Sequence, residues 1–69
     1  MFKLIKERLI EELKNCPLSK KEMAERVGVS PEMITQYVTT EKLPKLDTFA
    51  KICKELDLSA LYILGLEEK

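Results

Sequence analysis

Two short helix signals follow each other in the middle of the chain, with only three residues between them. The first begins with Ser19-Lys20-Lys21-Glu22, which has the spacing of a capping box, and it ends before Gly28, a residue that favours the left-handed cap of a helix. The second begins at Ser30, a good N-cap, with Pro31 at the first helical position. The pattern predicts two capped helices joined at residues 28–30, which is the layout of a helix-turn-helix or of an αα corner in a structural bundle.

The rest of the chain also divides into short helical segments. Good helix formers dominate, and no stretch combines β-branched residues with strict alternation, so no strand is predicted. Further helices are expected at about residues 2–14, 46–56 and 60–64, which gives an all-α fold of five helices. Residues spaced by three or four form one apolar stripe on the first helix: Phe2, Ile5, Leu9 and Leu13. Charged residues, Lys6 among them, fall largely outside this stripe, and the broad apolar surface of the fourth helix begins at Leu46.

The composition excludes several kinds of site. The 69 residues contain no His, which removes His-dependent nucleophiles and His-containing metal sites. The two Cys lack the close spacing of a zinc site. A chain of this size buries only about 60% of its unfolded surface, which leaves little room for a catalytic pocket. We therefore expect one domain over residues 1–69 that is not an enzyme and holds no metal or cofactor.

The apolar runs are too short for a membrane protein. The longest covers residues 60–64, whereas a membrane-spanning helix needs about 20 apolar residues. No signal-peptide pattern follows Met1. A cytoplasmic location without membrane contact is the default expectation.

The charges balance over the chain but are unevenly distributed. Twelve Lys and Arg match twelve Asp and Glu, whereas nucleic-acid-binding proteins usually carry a basic excess. Residues 18–45 have five basic and four acidic side chains, and residues 46–69 have three and five. The central part is therefore weakly positive, and the acidic excess lies toward the C-terminal end.

Residues 18–30 read LSKKEMAERVGVS, which is similar to the pattern L-[ST]-Q-x-x-L-A-x-x-x-G-V-S. This is the pattern of the Cro/C1-type, phage repressor-like helix-turn-helix family, also called the xenobiotic-response-element type, which residues 4–66 resemble. Three further segments are similar to the family in the same order: ITQY at 34–37, PKLDTFAKICKEL at 44–56 and SALYILGL at 59–66. The resemblance implies a five-helix lambda-repressor-like domain whose third helix enters the major groove of double-stranded DNA.

The resemblance also implies which residues contact DNA. Base edges would be read by residues at the start of the third helix and one turn later: Pro31, Glu32, Thr35 and Gln36. Gln36 could pair with an adenine edge and Glu32 could accept from the cytosine amino group, whereas Pro31 has no donor to offer. The phosphate contacts would come from Ser19, Lys20, Lys21, Lys42 and Lys45.

The C-terminal segment carries more apolar surface than its short helix can hide, because Tyr62, Ile63, Leu64 and Leu66 all lie there. A self-association patch of four residues would pair two chains: Leu61, Tyr62, Leu64 and Leu66. A two-fold dimer would place two third helices about one DNA turn apart. The alternative is that these residues complete the core.

Two functions remain open at this point. The first is a homodimeric transcriptional regulator, a repressor, that binds a specific sequence of double-stranded DNA and needs no small-molecule ligand. The second is a protein-interaction module or antirepressor-like partner that has lost DNA binding. Three features support the second function: the zero net charge, Glu32 on a helix without Lys or Arg, and Val38-Thr39-Thr40 where the family often has Glu-x-Gly.

Overall fold

The computed structural model describes residues 1–68, and in this part of the chain the secondary structure consists of five α-helices without a strand. The helices follow in the order α1 Phe2–Asn15, α2 Lys20–Val27, α3 Pro31–Thr39, α4 Leu46–Glu55 and α5 Ala60–Ile63. The all-α prediction is confirmed, and the sequence signals place the helix ends within about one residue.

Side-chain caps set the boundaries of the two central helices. The Ser19 Oγ accepts from the Glu22 amide at 3.1 Å, and the Glu22 Oε1 accepts from the Ser19 amide at 3.1 Å. Gly28 ends α2 with a φ of 85°, a left-handed conformation that is inexpensive for glycine. The Ser30 Oγ accepts from the Met33 amide at 3.2 Å and starts α3. The capping box, the glycine cap and the serine N-cap are therefore confirmed.

The core lies between α1, α2 and α3, and it continues to the two C-terminal helices. Helix α1 packs against α3 and α5, and α2 packs against α3 and α4. The largest fully buried side chains come from four of the five helices: Leu9, Leu13, Ile34, Ile52 and Ile63. Ile34 and Tyr37 are the buried residues of α3, as predicted, so the opposite face of this helix is turned to solvent.

Four residues do not lie where the sequence pattern placed them. Lys6, expected outside the apolar stripe, is buried with 6% of its surface exposed. Phe2 and Leu46, expected on apolar faces, are exposed at the first position of their helices; Leu46 is 83% exposed. Ile63, counted among the apolar residues that the short last helix could not hide, is fully buried in the core.

A polar contact holds α5 against α1. The Arg8 guanidinium lies 4.3 Å from the centroid of the Tyr62 ring, and its Nη1 donates to the Tyr62 carbonyl at 2.7 Å. The Tyr62 hydroxyl donates to the Glu11 Oε1 at 3.0 Å. Stacking of this kind adds about 0.5–2 kcal/mol to ordinary packing. This contact helps to stabilise a four-residue helix that could not persist alone.

We expect Ser19→Ala to lower the free energy of unfolding by about 1 kcal/mol. The substitution removes the acceptor of the Glu22 amide and half of the reciprocal capping box. Urea unfolding followed by circular dichroism measures the loss. Ser19→Asp is the control, because it keeps an acceptor at the same position and should retain most of the stability. An alanine variant as stable as the aspartate variant would contradict the role of the cap.

Candidate nucleic-acid interface

The outer face of α3 presents the side chains predicted to contact bases. Pro31, Glu32 and Gln36 are exposed and Thr35 is half-buried. Their spacing places all four on one side of the helix, over its first two turns. The structure therefore brings these residues together on a surface that no other described element covers.

The side chains of this face differ in how much bonding capacity they have left. The Thr35 hydroxyl donates to the Pro31 carbonyl at 3.3 Å, and the Thr39 hydroxyl donates to the Thr35 carbonyl at 2.8 Å. Both hydroxyls are thus turned toward the helix backbone. Among residues 1–68, no hydrogen bond or ion pair is made by the side chains of Glu32 and Gln36. These two residues have the unused polar groups that a base edge requires.

The start of α2 forms a second, positively charged part of the candidate surface. Ser19, Lys20 and Lys21 are exposed there, beside the free amides of the helix N-terminus, which attract anions. Ser19 is already engaged in the capping box. The hydrogen bonds of Ser19 hold the pKa of the Glu22 carboxyl below its ordinary value, and the bond from the Ser19 backbone amide contributes more than the bond to its side chain. The ionised Glu22 therefore offsets part of the charge of the two lysines.

The loop between α3 and α4 carries the other two predicted phosphate contacts. Lys42 and Lys45 are exposed. They border a surface cavity of about 450 Å³ whose remaining lining comes from the turn, α3, the loop and α4: Val29, Met33, Tyr37, Leu43 and Thr48. The shared cavity shows that both loop lysines flank the side of α3. Lys20 and Lys21 lie one helix length before the turn.

The predicted dimer residues do not form a uniform patch. Leu61 and Leu66 are exposed, with Leu66 65% exposed, whereas Tyr62 and Leu64 are half-buried. Tyr62 is engaged by Arg8 and Glu11 of its own chain. Leu64 lines an apolar groove of about 290 Å³ together with residues from α1, the α3–α4 loop and α4: Ile5, Leu9, Leu43, Pro44, Leu46 and Phe49. The sequence did not indicate that the loop and Leu46 contribute to this surface.

Lys6, which lies beside the candidate interface, is buried, although the sequence pattern predicted an exposed side chain. Its Nζ donates to two backbone carbonyls, that of Tyr37 in the last turn of α3 and that of Lys42 in the following loop. Burial lowers the pKa of Lys6, and the nearby Glu41 carboxylate partly opposes this shift. No local signal marks this lysine, because its partners are 31 and 36 residues away in the chain.

Two other kinds of site have no counterpart between residues 1 and 68. No group of three Cys, Asp or Glu side chains is placed to hold a metal ion. No helix there has the length and apolar character needed to cross a membrane. Cys16 and Cys53 are free thiols, and burial raises the pKa of Cys53, which disfavours its reactive thiolate.

Comparison with protein families matches residues 9–63 to the helix-turn-helix family. The matched segment contains α2, the turn and α3, and it continues through α4 to the end of α5. Comparison with curated proteins and with solved structures gives no match.

Proposed function

The chain belongs to the Cro/C1-type helix-turn-helix family, and on this premise we propose that it is a transcriptional regulator that binds a specific sequence of double-stranded DNA. It acts as a repressor in the cytoplasm by occupying its site as a homodimer. It carries out no catalysis and uses no cofactor or small-molecule ligand. One domain formed by residues 1–69 performs this function.

The exposed, polar outer face of α3 is the observation that carries the proposal. Ile34 and Tyr37 anchor the inner face in the core, so the helix is held rigidly while Glu32 and Gln36 extend into solvent. A helix presented in this way fits the major groove, which is about 12 Å wide. Lys42 and Lys45 line a cavity beside α3, and we assign them to contacts with the DNA backbone.

The residues of the interface have separate roles in this proposal. Gln36 pairs with the N6 and N7 edge of adenine, and Glu32 accepts from the N4 amino group of cytosine. Thr35 contributes its methyl group, because its hydroxyl is bonded to the helix backbone. Pro31 contacts the bases only through its apolar ring at the start of α3, because proline has no N–H to donate. Four lysines and one serine contact phosphates and set the register: Lys20, Lys21, Lys42, Lys45 and Ser19.

The homodimer is supported by the apolar surface around the C-terminal segment. Exposed Leu61 and Leu66 are neighbours, since the Leu66 amide donates to the Leu61 carbonyl at 2.9 Å, and half-buried Leu64 lines the apolar groove. We assign half-buried Tyr62 to the same interface. Burial of this surface between two copies would remove several leucine side chains from water, each contributing about 1.5–3 kcal/mol when fully buried. Two copies related by a two-fold axis then bind a palindromic or near-palindromic site.

A protein-interaction module is the second candidate, because the net charge is zero and α3 has no basic residue. In that case α3 would not contact DNA, and the apolar surface at the C-terminal end would bind another regulator. Selection of duplexes from a random library separates the two functions. The DNA-binding proposal predicts an enriched motif with two-fold symmetry. If folded protein enriches no motif at low salt, the proposed regulator is wrong and the interaction module is favoured.

On the selected duplex, we expect Gln36→Ala to relax the choice of one base pair by about 1–3 kcal/mol while other positions keep their preference. Lys20→Glu is expected to weaken all sequences alike, because phosphates carry no sequence information. Competition binding against single-base variants of the duplex measures both effects.

Lys54→Glu is the matched control for the charge reversal, since Lys54 is exposed on α4, outside the proposed interface. It should lower the affinity less than Lys20→Glu does. Equal effects of the two reversals, or an unchanged preference in Gln36→Ala, would show that these contacts are assigned wrongly.

A further inference from the structure

Lys6 reaches from α1 to the end of the helix proposed to read DNA. Its side chain is buried, and its ammonium donates to the carbonyls of Tyr37 and Lys42. The last carbonyls of a helix have no partner within the helix, and a cation at that end is favoured by the helix dipole. Helix α3 has no basic residue in its own last turn. Lys6 therefore supplies from α1 the cation that α3 lacks.

The same ammonium completes a set of hydrogen bonds that holds the backbone of residue 42 from both sides. The Lys42 carbonyl accepts from Lys6, and the Lys42 amide donates to the Thr40 Oγ1 at 3.2 Å. Thr40 is itself tied to the Gln36 carbonyl, by its amide at 3.0 Å and by its hydroxyl at 2.6 Å. The Cα of Lys42 thus has a defined position relative to α3, although its side chain is exposed.

These contacts also account for the missing glycine after α3. Thr40 has a φ of −124°, so the chain leaves the helix in an extended conformation instead of a left-handed turn. An extended exit leaves carbonyls of the last turn without the partners that a glycine-capped turn provides. The threonine hydroxyl and the lysine ammonium take over that role.

We propose that Lys6 is a positioning residue for DNA binding: by fixing the loop after α3 it sets where the side chain of Lys42 meets the DNA backbone. This inference rests on the proposed DNA-binding function. Lys6 does not touch DNA, because its side chain is buried against the end of α3 and the following loop. Its effect on affinity passes through Lys42.

The test compares Lys6→Met with Lys3→Met in the full chain. Both variants lose one positive charge from α1 and keep a long apolar side chain, but Lys3 is exposed. In hydrogen exchange of the free protein, we expect the Lys42 amide of Lys6→Met to exchange at least about tenfold faster than in Lys3→Met, while amides in the middle of α2 keep their protection. Equal exchange at Lys42 in the two variants, or a uniform loss of protection over all helices, would overturn the proposal.

The DNA arm measures affinity for the selected duplex against salt concentration. Loss of the Lys42 phosphate contact should lower the slope of log affinity against log salt by about 1 per bound chain in Lys6→Met and leave Lys3→Met nearly unchanged. Adding Lys42→Ala to Lys6→Met should cause little further loss, because the contact is already gone. Lys6→Arg, which keeps a cation with several donors, should restore the slope. A merely structural role would lower stability without changing the slope of the folded protein, and that result would contradict the proposal.

Failure of the proposed DNA-binding function and failure of the role of Lys6 give different results. If the wild-type chain enriches no duplex, the proposed function fails, while the exchange arm still decides whether Lys6 holds the loop. If Lys6→Met does not fold, Lys6→Gln replaces it, since glutamine keeps a donor but is too short to reach both carbonyls. The same faster exchange at Lys42 is expected, and its absence overturns the proposal.

Discussion

Raising the salt concentration from about 50 mM to about 200 mM is expected to weaken binding to the selected duplex by about 10³–10⁵-fold. Four lysines of each chain are assigned to phosphates, so a dimer places eight of them along the backbone: Lys20, Lys21, Lys42 and Lys45 of both copies. Each phosphate contact releases condensed counterions, and this release becomes less favourable as salt rises. The zero net charge does not remove the effect, because these are local contacts.

Fluorescence anisotropy of a labelled duplex measures this dependence. Thermal unfolding in the same buffers controls for any change in the folded population. A change of less than about tenfold over this range would correspond to about one or two phosphate contacts and would contradict the assignment of the lysines. Binding to another protein through the apolar C-terminal end would be far less sensitive to salt, which also separates the two candidate functions.

The largest effect on stability is expected from Leu13→Ala, which should lower the free energy of unfolding by about 2–5 kcal/mol. Leu13 is 2% exposed in the core, so the substitution leaves a cavity as well as losing apolar burial. A domain of this length has a total stability of about 3–10 kcal/mol. The variant should therefore be partly unfolded at 37 °C and should lose DNA binding through the smaller folded fraction.

Leu46→Ala is the matched control, because it makes the same chemical change at a residue that is 83% exposed. Its free energy of unfolding should lie within about 0.5 kcal/mol of that of the wild-type protein, as for other surface substitutions. Urea unfolding at low protein concentration compares the two variants without a contribution from self-association. Similar losses in both variants would mean that Leu46 is packed in the core, contrary to the structure.

Local signals predicted the five helices because each helix end depends on residues close in sequence. The Ser19–Glu22 capping box, Gly28 and Ser30 act within three or four residues, so their effect is readable without any tertiary information. The inward face of α3 follows from the spacing of Ile34 and Tyr37. The outer face, with its candidate base contacts, follows from the same periodicity.

Long-range contacts were not predictable in the same way. Lys6 has the residue type of a surface side chain, and only the approach of α3 and the loop turns it into a buried donor. The stacking of Arg8 on Tyr62 joins residues 54 positions apart. Asp57 has a φ of 56° at the end of α4, where the Leu58 amide closes the turn by donating to the Cys53 carbonyl at 2.9 Å. A glycine would have signalled that left-handed turn, and an aspartate does so only weakly.

The exposed apolar residues were equally hard to assign. A helical pattern shows that a residue is on the apolar face but does not show whether another element covers it. Leu46 and Phe2 lie at helix starts and remain exposed, whereas Ile63 of the shortest helix is fully buried. Coverage depends on how the helices are arranged, which a single sequence does not reveal.

Amide chemical shifts during titration with the selected duplex test the central claim most directly, because they identify the surface that touches DNA. We expect the largest shifts at the amides of residues 32–36, with further shifts at residues 19–21 and at Lys42, Leu43 and Lys45. Unchanged amides at residues 32–36 in a saturated complex, with the largest shifts on α1 or α5, would contradict DNA binding by α3.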